Sequence, residues 1–313
     1  MNTANAAIPR LRQASLSAKL GLRAEVLRAL RDFFHGRGYL EVETPVRIPA
    51  PAPETHIDAQ PSGPWYLHTS PELCMKQLLA AGYPRIYQIC RCFRQGERGR
   101  RHLPEMTLLE WYTAHADYTH MMAQCEALVM SVLAALGRDS HLAYQNRIID
   151  LSPPWRRLTV ARAFERHASV SMQQALDSGR FDEIMGLEIE PELGLDRPVI
   201  LYDYPTACGA LARRKTGHPD IAERFELYVA GLELCNAFSE LIDPEEQRKR
   251  FVAEIEARRE QGKPVYPLPE PFLNALAQMP PATGNALGVD RLVMLLADSE
   301  SIDEVVAFVP EDL

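Results

Sequence analysis

The chain has 313 residues, 46% of them apolar, with six cysteines and a formal net charge of −8. That length fits one large domain or two small ones, and the negative balance argues against a broad nucleic-acid surface, which relies on many Lys and Arg neutralising phosphates. No apolar run approaches the ~18 residues of a membrane span, and the N-terminus carries no signal-peptide core, so a cytoplasmic protein is expected.

Residues 1–14 read as a loose tail. Over 17–37 the apolar residues Leu22, Val26, Leu27, Leu30, Phe33 and Phe34 recur at helical spacing, and Gly36 and Gly38 end the helix. Residues 39–44 alternate as a short strand that stops at Pro45, and 45–64 form a proline-rich extended loop. Pro71 suits a first helical position, so a helix is expected from there to about Ala81, closed by Gly82. Strands at 85–94 and 106–112 flank a loop loaded with arginine, and 117–136 reads as a helix. The stretch 137–200 shows little period beyond helices near 158–168 and 171–179. Strands return at 199–204 and 224–240, a helix runs from Pro244 to Gly262, and a short helix covers 272–279. The chain ends with a strand near 284–288, a helix from Asp290 and a last strand over 304–308. There is no internal repeat and no low-complexity linker, so one domain is expected, of the α+β class, with a mostly antiparallel sheet flanked by helices.

The cysteines stand at 74, 90, 92, 125, 208 and 235. None forms a Cys-x-x-Cys pair, so neither zinc nor a redox pair is suggested. Cys90 and Cys92 fall on one face of a strand, as reduced, core-facing thiols do.

Three segments carry chemistry. Period-two alternation puts Met106, Leu108, Glu110 and Tyr112 on one strand face. Glu110 therefore sits among large apolar side chains, where a lone carboxylate needs either an internal basic partner or a cationic ligand. In the preceding strand Arg94 is placed to grip a phosphate or carboxylate through two parallel hydrogen bonds, or to make an ordinary salt bridge. In the second segment, 224–240, a turn at Ala230-Gly231 pairs Tyr228 with Glu233 and Glu226 with Cys235. Glu226 and Glu233 then share a sheet face, and two carboxylates there repel unless a cation lies between; Mg2+ bridging nucleotide phosphates fits. Simple alternation sends Asn236, Phe238 and Glu240 to the opposite face, so a bulge near Ala237 is needed to return Glu240 to the pocket. In the third segment Arg291 sits in the first turn of a helix, against the helix dipole. It gains there from a bound phosphate or a stacked ring, or from a salt bridge to Asp290 or another acid.

Together these segments resemble the three motifs of class II aminoacyl-tRNA synthetases: Gly38 to Pro45, Phe93-Arg94 through Glu105, and Gly288-Val289-Asp290-Arg291. The lysine subgroup is most similar, on Thr69-Ser70-Pro71-Glu72-Leu73 and on Glu233-x-x-Asn236-x-Phe238-Ser239-Glu240. Lysyl-tRNA synthetases carry an N-terminal anticodon-binding domain, whereas this catalytic unit begins almost at once. In that, in Trp111 and in Ala286, where the synthetases usually have glycine, the chain resembles their paralogues, the elongation factor P–(R)-β-lysine ligase family. The resemblance implies ATP contacts from Arg94, Glu97, Arg101, His102, Met106 and Arg291, with Arg94 and Arg291 catalytic. It implies Mg2+ on Glu226 and Glu233 and a substrate pocket of Glu72, Glu110, Tyr112, Asn236, Glu240 and Ala286. Three positions depart from the pattern: Met106 replaces a phenylalanine that stacks on adenine, Gly96 replaces a glutamate beside Glu97, and Ala237 replaces a glycine.

The expected activity is ATP-dependent, AMP-forming ligation. Lysine or (R)-β-lysine becomes an aminoacyl-adenylate and passes to the ε-amine of a lysine on elongation factor P. The implied assembly is a homodimer, with no stable tRNA binding and no membrane. Two other readings remain at this stage: a truncated synthetase that charges tRNA, and a non-catalytic regulatory paralogue.

Overall fold

The computed structural model describes residues 12–313. The helix Ser17–His35 buries Val26, Ala29, Leu30, Phe33 and Phe34 along one stripe, as the 3.6-residue period requires. It ends where Gly36 donates back to Asp32, and the chain leaves through Gly38 at φ 71°, a left-handed conformation that glycine adopts without a Cβ clash. The expected tail differs at its inner end: Arg12–Ser15 form a helical turn, and Arg12 donates to the Asp303 carbonyl at 2.7 Å and to Asp312 at 2.9 Å. Residues 1–11 of that tail lie outside the described residues.

A nine-stranded sheet organises the molecule. Its order is Leu40–Glu41, Arg85–Phe93, Glu105–Ala114, Ala282–Gly288, Leu232–Ser239, His218–Val229, Val199–Pro205 and Arg156–Thr159, with Arg214–Lys215 paired to His218–Val229. Pairing is antiparallel except at the two ends of this order, where the outermost strands lie parallel to their neighbours. The expected mostly antiparallel α+β architecture is the one observed. Residues 39–44 contribute only a two-residue strand, since Pro45 cannot extend a ladder.

One face of the sheet is covered by the helices Ser17–His35, Tyr118–Ala135 and Val289–Leu296, which pack Phe34, Leu128 and Leu292 with the sheet residues Leu109, Trp111, Leu227 and Leu287. The other face is covered at one end by the helices Glu72–Ala80, Pro244–Glu260 and Glu270–Leu276, through Leu79, Phe251 and Phe272 against Ile86 and Tyr112. At its other end that face is covered by the helices Val160–His167, Met172–Asp177 and Phe181–Ile184, through Phe164, Phe181 and Ile184 against Val199, Leu201 and Tyr228.

Three expectations change. The 304–308 strand is absent; Ser301 and Glu304 form a capping box that draws Ile302–Val305 into a 3-10 turn. The 137–200 stretch contains the strands His141–Tyr144, Arg147–Asp150 and Arg156–Thr159; the proline-rich loop contains Arg47–Ile48 and Pro61–Ser62, and Trp65–Leu67 follows it. Each has two to four residues, too few to display a period of two. The helix expected to open at Pro71 has Pro71 as its N-cap and runs Glu72–Ala80.

Candidate active site

Strand register assembles the open face. Gln88 lies opposite Glu110, Glu110 opposite Ala286, Ala286 opposite Asn236 and Asn236 opposite Glu226. The next row runs Ile86, Tyr112, Gly284, Phe238 and Arg224. Directly opposed residues share a face, so five strands contribute to one floor.

The hairpin register corrects the sequence reading. Tyr228 faces Glu233 as expected, but Leu227 faces Cys235 and Glu226 faces Asn236, which leaves Leu234 unpaired as a bulge. One extra residue inverts the alternation beyond it. Asn236 and Phe238 therefore return to the Glu226 face, and Glu240 follows them. The bulge precedes Ala237 by three positions, so a glycine at 237 is not needed for it.

At one end the floor is acidic. Glu110, 1% exposed, accepts hydrogen bonds from Ser70 Oγ and from Tyr112 Oη, the latter at 3.0 Å, and pairs with no Lys, Arg or His among the described residues. Burial, then the charge of Glu72, push its pKa well above the ordinary 4.5. Glu240 approaches the Tyr112 side of this pocket: a Cβ on Gly284 would overlap both the Tyr112 ring and Glu240 Oε1, so only glycine leaves room for these two side chains to converge over this strand.

Glu240 differs from Glu110 in having an internal cation. The Lys76 ammonium, 1% exposed, stands 2.5 Å from Glu72 Oε1 and 2.5 Å from Glu240 Oε2, with the Phe238 ring centroid 5.0 Å away. Burial lowers the Lys76 pKa, but the two carboxylates outweigh it and raise it to about 12. Glu240 is still held near 8, mainly by burial, and its Oε1 has no hydrogen-bond donor. Lys76 is a residue that sequence reasoning missed, although its i, i+4 spacing from Glu72 on a helix was a visible signal. A second omission is Glu54 in the proline-rich loop; burial, then Glu72, hold it near 7, while the nearby Arg94 pulls the other way.

The other end is basic. Of the loop arginines, Arg98 is tied to Asp303 and Glu311, and Arg100 to Glu300, so these two brace the C-terminal segment. Arg94 faces inward, 3.8 Å from Glu97, and its Nε has no hydrogen-bond partner among the described residues. Arg291 donates to the Glu233 carbonyl at 2.8 Å, to its carboxylate at 3.1 Å and to His102 Nε2 at 2.6 Å. Burial and the Arg291 charge hold His102 near pKa 4, so it is the neutral acceptor in that contact. Asp290 is not the partner of Arg291: it pairs with Arg23 at 2.6 Å. Arg101 donates to the Gly231 carbonyl at 2.8 Å, and Met106 stands half-buried opposite Cys92.

Between the two ends lie carboxylates. Glu226 accepts from Arg224 at 2.6 Å, from Tyr204 at 2.5 Å and from Tyr228 at 2.6 Å. Glu190, which no sequence signal marked, joins Glu226 and Glu233; burial and those two charges hold it near pKa 7. Carboxylates are the hard oxygen donors a dication such as Mg2+ takes, but Glu226 is ion-paired with Arg224 and Glu233 with Arg291, so a dication would have to displace those arginines. Of the sequence-predicted acids only Glu110 has no basic partner among the described residues: Glu72 and Glu240 share Lys76, Glu226 pairs with Arg224, Glu233 with Arg291, and Glu97 stands 3.8 Å from Arg94.

The family model described as tRNA synthetases class II (D, K and N) matches residues 3–312. A lysine–tRNA ligase of Moorella thermoacetica is 41% identical over 91% of this chain and 64% of its own length. Elongation factor P–(R)-β-lysine ligases of Edwardsiella ictaluri and of Enterobacter sp. are 39% and 38% identical, over 93% and 91% of this chain and 94% and 93% of their own lengths. The chain therefore spans less than two thirds of the lysine–tRNA ligase and nearly all of the elongation factor P ligases.

Proposed function

The chain belongs to the class II tRNA synthetase family, and from that premise we propose that it is an ATP-dependent, AMP-forming ligase. It activates (R)-β-lysine or lysine and transfers it to the ε-amine of a lysine on elongation factor P. The observation that carries the reading is Glu110, a buried carboxylate with no basic partner among the described residues, near enough to Glu72 to feel its charge. A desolvated ammonium is the ligand that compensates such a site.

In this reading Glu110, Tyr112 and Glu240 receive the side-chain ammonium, Glu72 the other amine, and Asn236 the carboxylate. Ala286, in the row between Glu110 and Asn236, sets the depth of the floor. Arg94, with its unpartnered Nε, meets the α-phosphate and the carboxylate under attack. Glu97, Arg101 and His102 meet the nucleotide's polar groups, Met106 covers adenine through its polarisable sulfur, and Arg291 spans adenine and the γ-phosphate. Mg2+ on Glu226 and Glu233 would supply charge neutralisation of the phosphates. Catalysis comes from alignment and charge compensation, with no covalent enzyme intermediate.

The first test is ATP–pyrophosphate exchange with lysine and with each β-lysine enantiomer. Absence of exchange with all of them removes the reading. The second is intact mass spectrometry of elongation factor P after incubation with enzyme, ATP and the active isomer: one added lysyl mass is expected. Charging of tRNA(Lys) with an unmodified elongation factor P would favour the truncated synthetase instead.

A further inference from the structure

Gln88, Cys90 and Cys92 project from the same face of the strand Arg85–Phe93, and the amine pocket uses only the row of Gln88. The two thiols beyond it meet a third soft donor, since the chain entering the helix Glu72–Ala80 passes over them with His68. His68 and Cys92 are buried, while Cys90 stays half-exposed. No Cys-x-x-Cys spacing marks this trio, because two of its members are adjacent on a strand face and the third comes from another segment.

The separations suit a tetrahedral ion. Two thiolates bound at ~2.3 Å on a tetrahedron lie roughly 3.8 Å apart, and a thiolate and an imidazole nitrogen lie roughly 3.6 Å apart. The Cys90 and Cys92 sulfurs are 3.8 Å apart, and Cys92 Sγ is 4.0 Å from His68 Nε2. The thiol pair is thus already at coordination spacing, and all three donor atoms lie within 4.8 Å of one another, so a modest movement of the imidazole completes the set. One bond must be given up: His68 Nε2 donates to the Arg91 carbonyl at 2.7 Å, and the ion would replace that proton. The partly exposed Cys90 leaves a path in and a fourth position for water.

We propose that His68, Cys90 and Cys92 form a binding site for a thiophilic divalent cation of the zinc class, set beside the amine end of the active site. The pair is chemically prepared for this. A hydrogen bond from Cys92 and the neighbouring His68 hold the Cys90 thiol below its usual range, whereas that same bond and burial hold Cys92 above it. One thiolate is therefore available at neutral pH. Metal entry releases the remaining thiol proton to solvent and moves the His68 proton from Nε2 to Nδ1, so the imidazole stays neutral. Loading turns an anionic thiol–thiolate pair into a neutral cluster close to Glu110, whose charge Cys90 already influences. It weakens the negative potential that an ammonium would meet. This last effect rests on the proposed function; the site itself does not.

The test is a Cd2+ titration of the reduced, folded protein in millimolar Mg2+, following the cadmium–thiolate charge-transfer absorption, which carboxylates do not produce. Wild type is expected to saturate at one equivalent. C92S should lose most of the band, H68N should bind at least tenfold more weakly, and C90S, at the half-exposed position, serves if C92S does not fold. No band at one equivalent, or an undiminished band in C90S and C92S, overturns the proposal by assigning any binding to the remaining thiols. Zn2+ should also raise the KM for the amino acid in the exchange assay of wild type, not of C90S. If exchange is absent altogether the functional reading fails, while the cadmium result stands or falls separately.

Discussion

Glu110 is expensive to bury and, among the described residues, is held in place by two hydroxyls, those of Ser70 and Tyr112. Its carboxylate form is disfavoured in the ligand-free protein, so removing its charge should stabilise the fold and abolish recognition together. Glu110→Gln is expected to melt at a higher temperature than wild type without amino acid, because an amide carries no desolvated charge and can still bond Ser70 and Tyr112. The same variant should raise the KM for lysine about 100-fold, the loss of one charge-assisted contact worth up to about 3 kcal/mol. A melting curve and exchange kinetics check the two halves; an inactive variant that also melts lower would make Glu110 structural. Ala286 offers a finer test. Its methyl rises from the floor between Glu110 and Asn236, and one methyl is worth about 1–3 kcal/mol of discrimination. Ala286→Gly should change the preference between lysine and β-lysine by roughly tenfold, read as the ratio of kcat/KM values in exchange.

At the scale of elements, the helix Glu72–Ala80 supplies both an acid and its neutralising base to the pocket. Lys76→Gln would leave Glu72 and Glu240 facing each other with no cation between them. Breaking a buried pair from one side costs about 3–5 kcal/mol, so this variant should unfold more readily. Added lysine should restore more of its melting temperature than wild type gains, because the free ammonium enters the vacated charge field; equal shifts in both proteins would separate Lys76 from the amine pocket. How far such features could be read beforehand follows from their length in sequence. The strands Arg85–Phe93 and Glu105–Ala114 are nine and ten residues long and announce their faces by alternation. The bulge at Leu234 could not be placed that way, since one extra residue in a run of apolar side chains leaves no compositional mark. Glu54 reaches the site from a loop and Glu190 from the short 3-10 turn Glu190–Glu192, whose paths are set by tertiary packing, and they stayed invisible for that reason. Lys76 was legible as an i, i+4 pair, but only the fold reveals that its second partner is Glu240.

Across the whole molecule the buried acids set the response to pH. Folded-state values near 7 for Glu54 and near 8 for Glu240, and one well above 4.5 for Glu110, all lie above the unfolded reference of 4.5. The folded state therefore holds these protons more tightly, so stability from the protonated forms is complete below pH 4.5 and is lost as pH rises through 7 to 8. Ion-paired surface carboxylates such as Glu183 and Glu304 have lowered values and the opposite sign, but they titrate below 4.5 and leave this window untouched. Lys76, raised to about 12, is charged throughout it. The ligand-free protein should accordingly lose melting temperature between about pH 5 and 8. An ammonium ligand prefers the deprotonated acids, so its affinity should rise over the same interval, by up to about tenfold per pH unit for each proton released. Calorimetric titration of lysine in two buffers of different ionisation enthalpy measures that release directly, and Glu110→Gln should reduce it. A flat melting profile together with pH-independent binding would mean that the acidic end is neutralised from within by Lys76 and is not the seat of the amine.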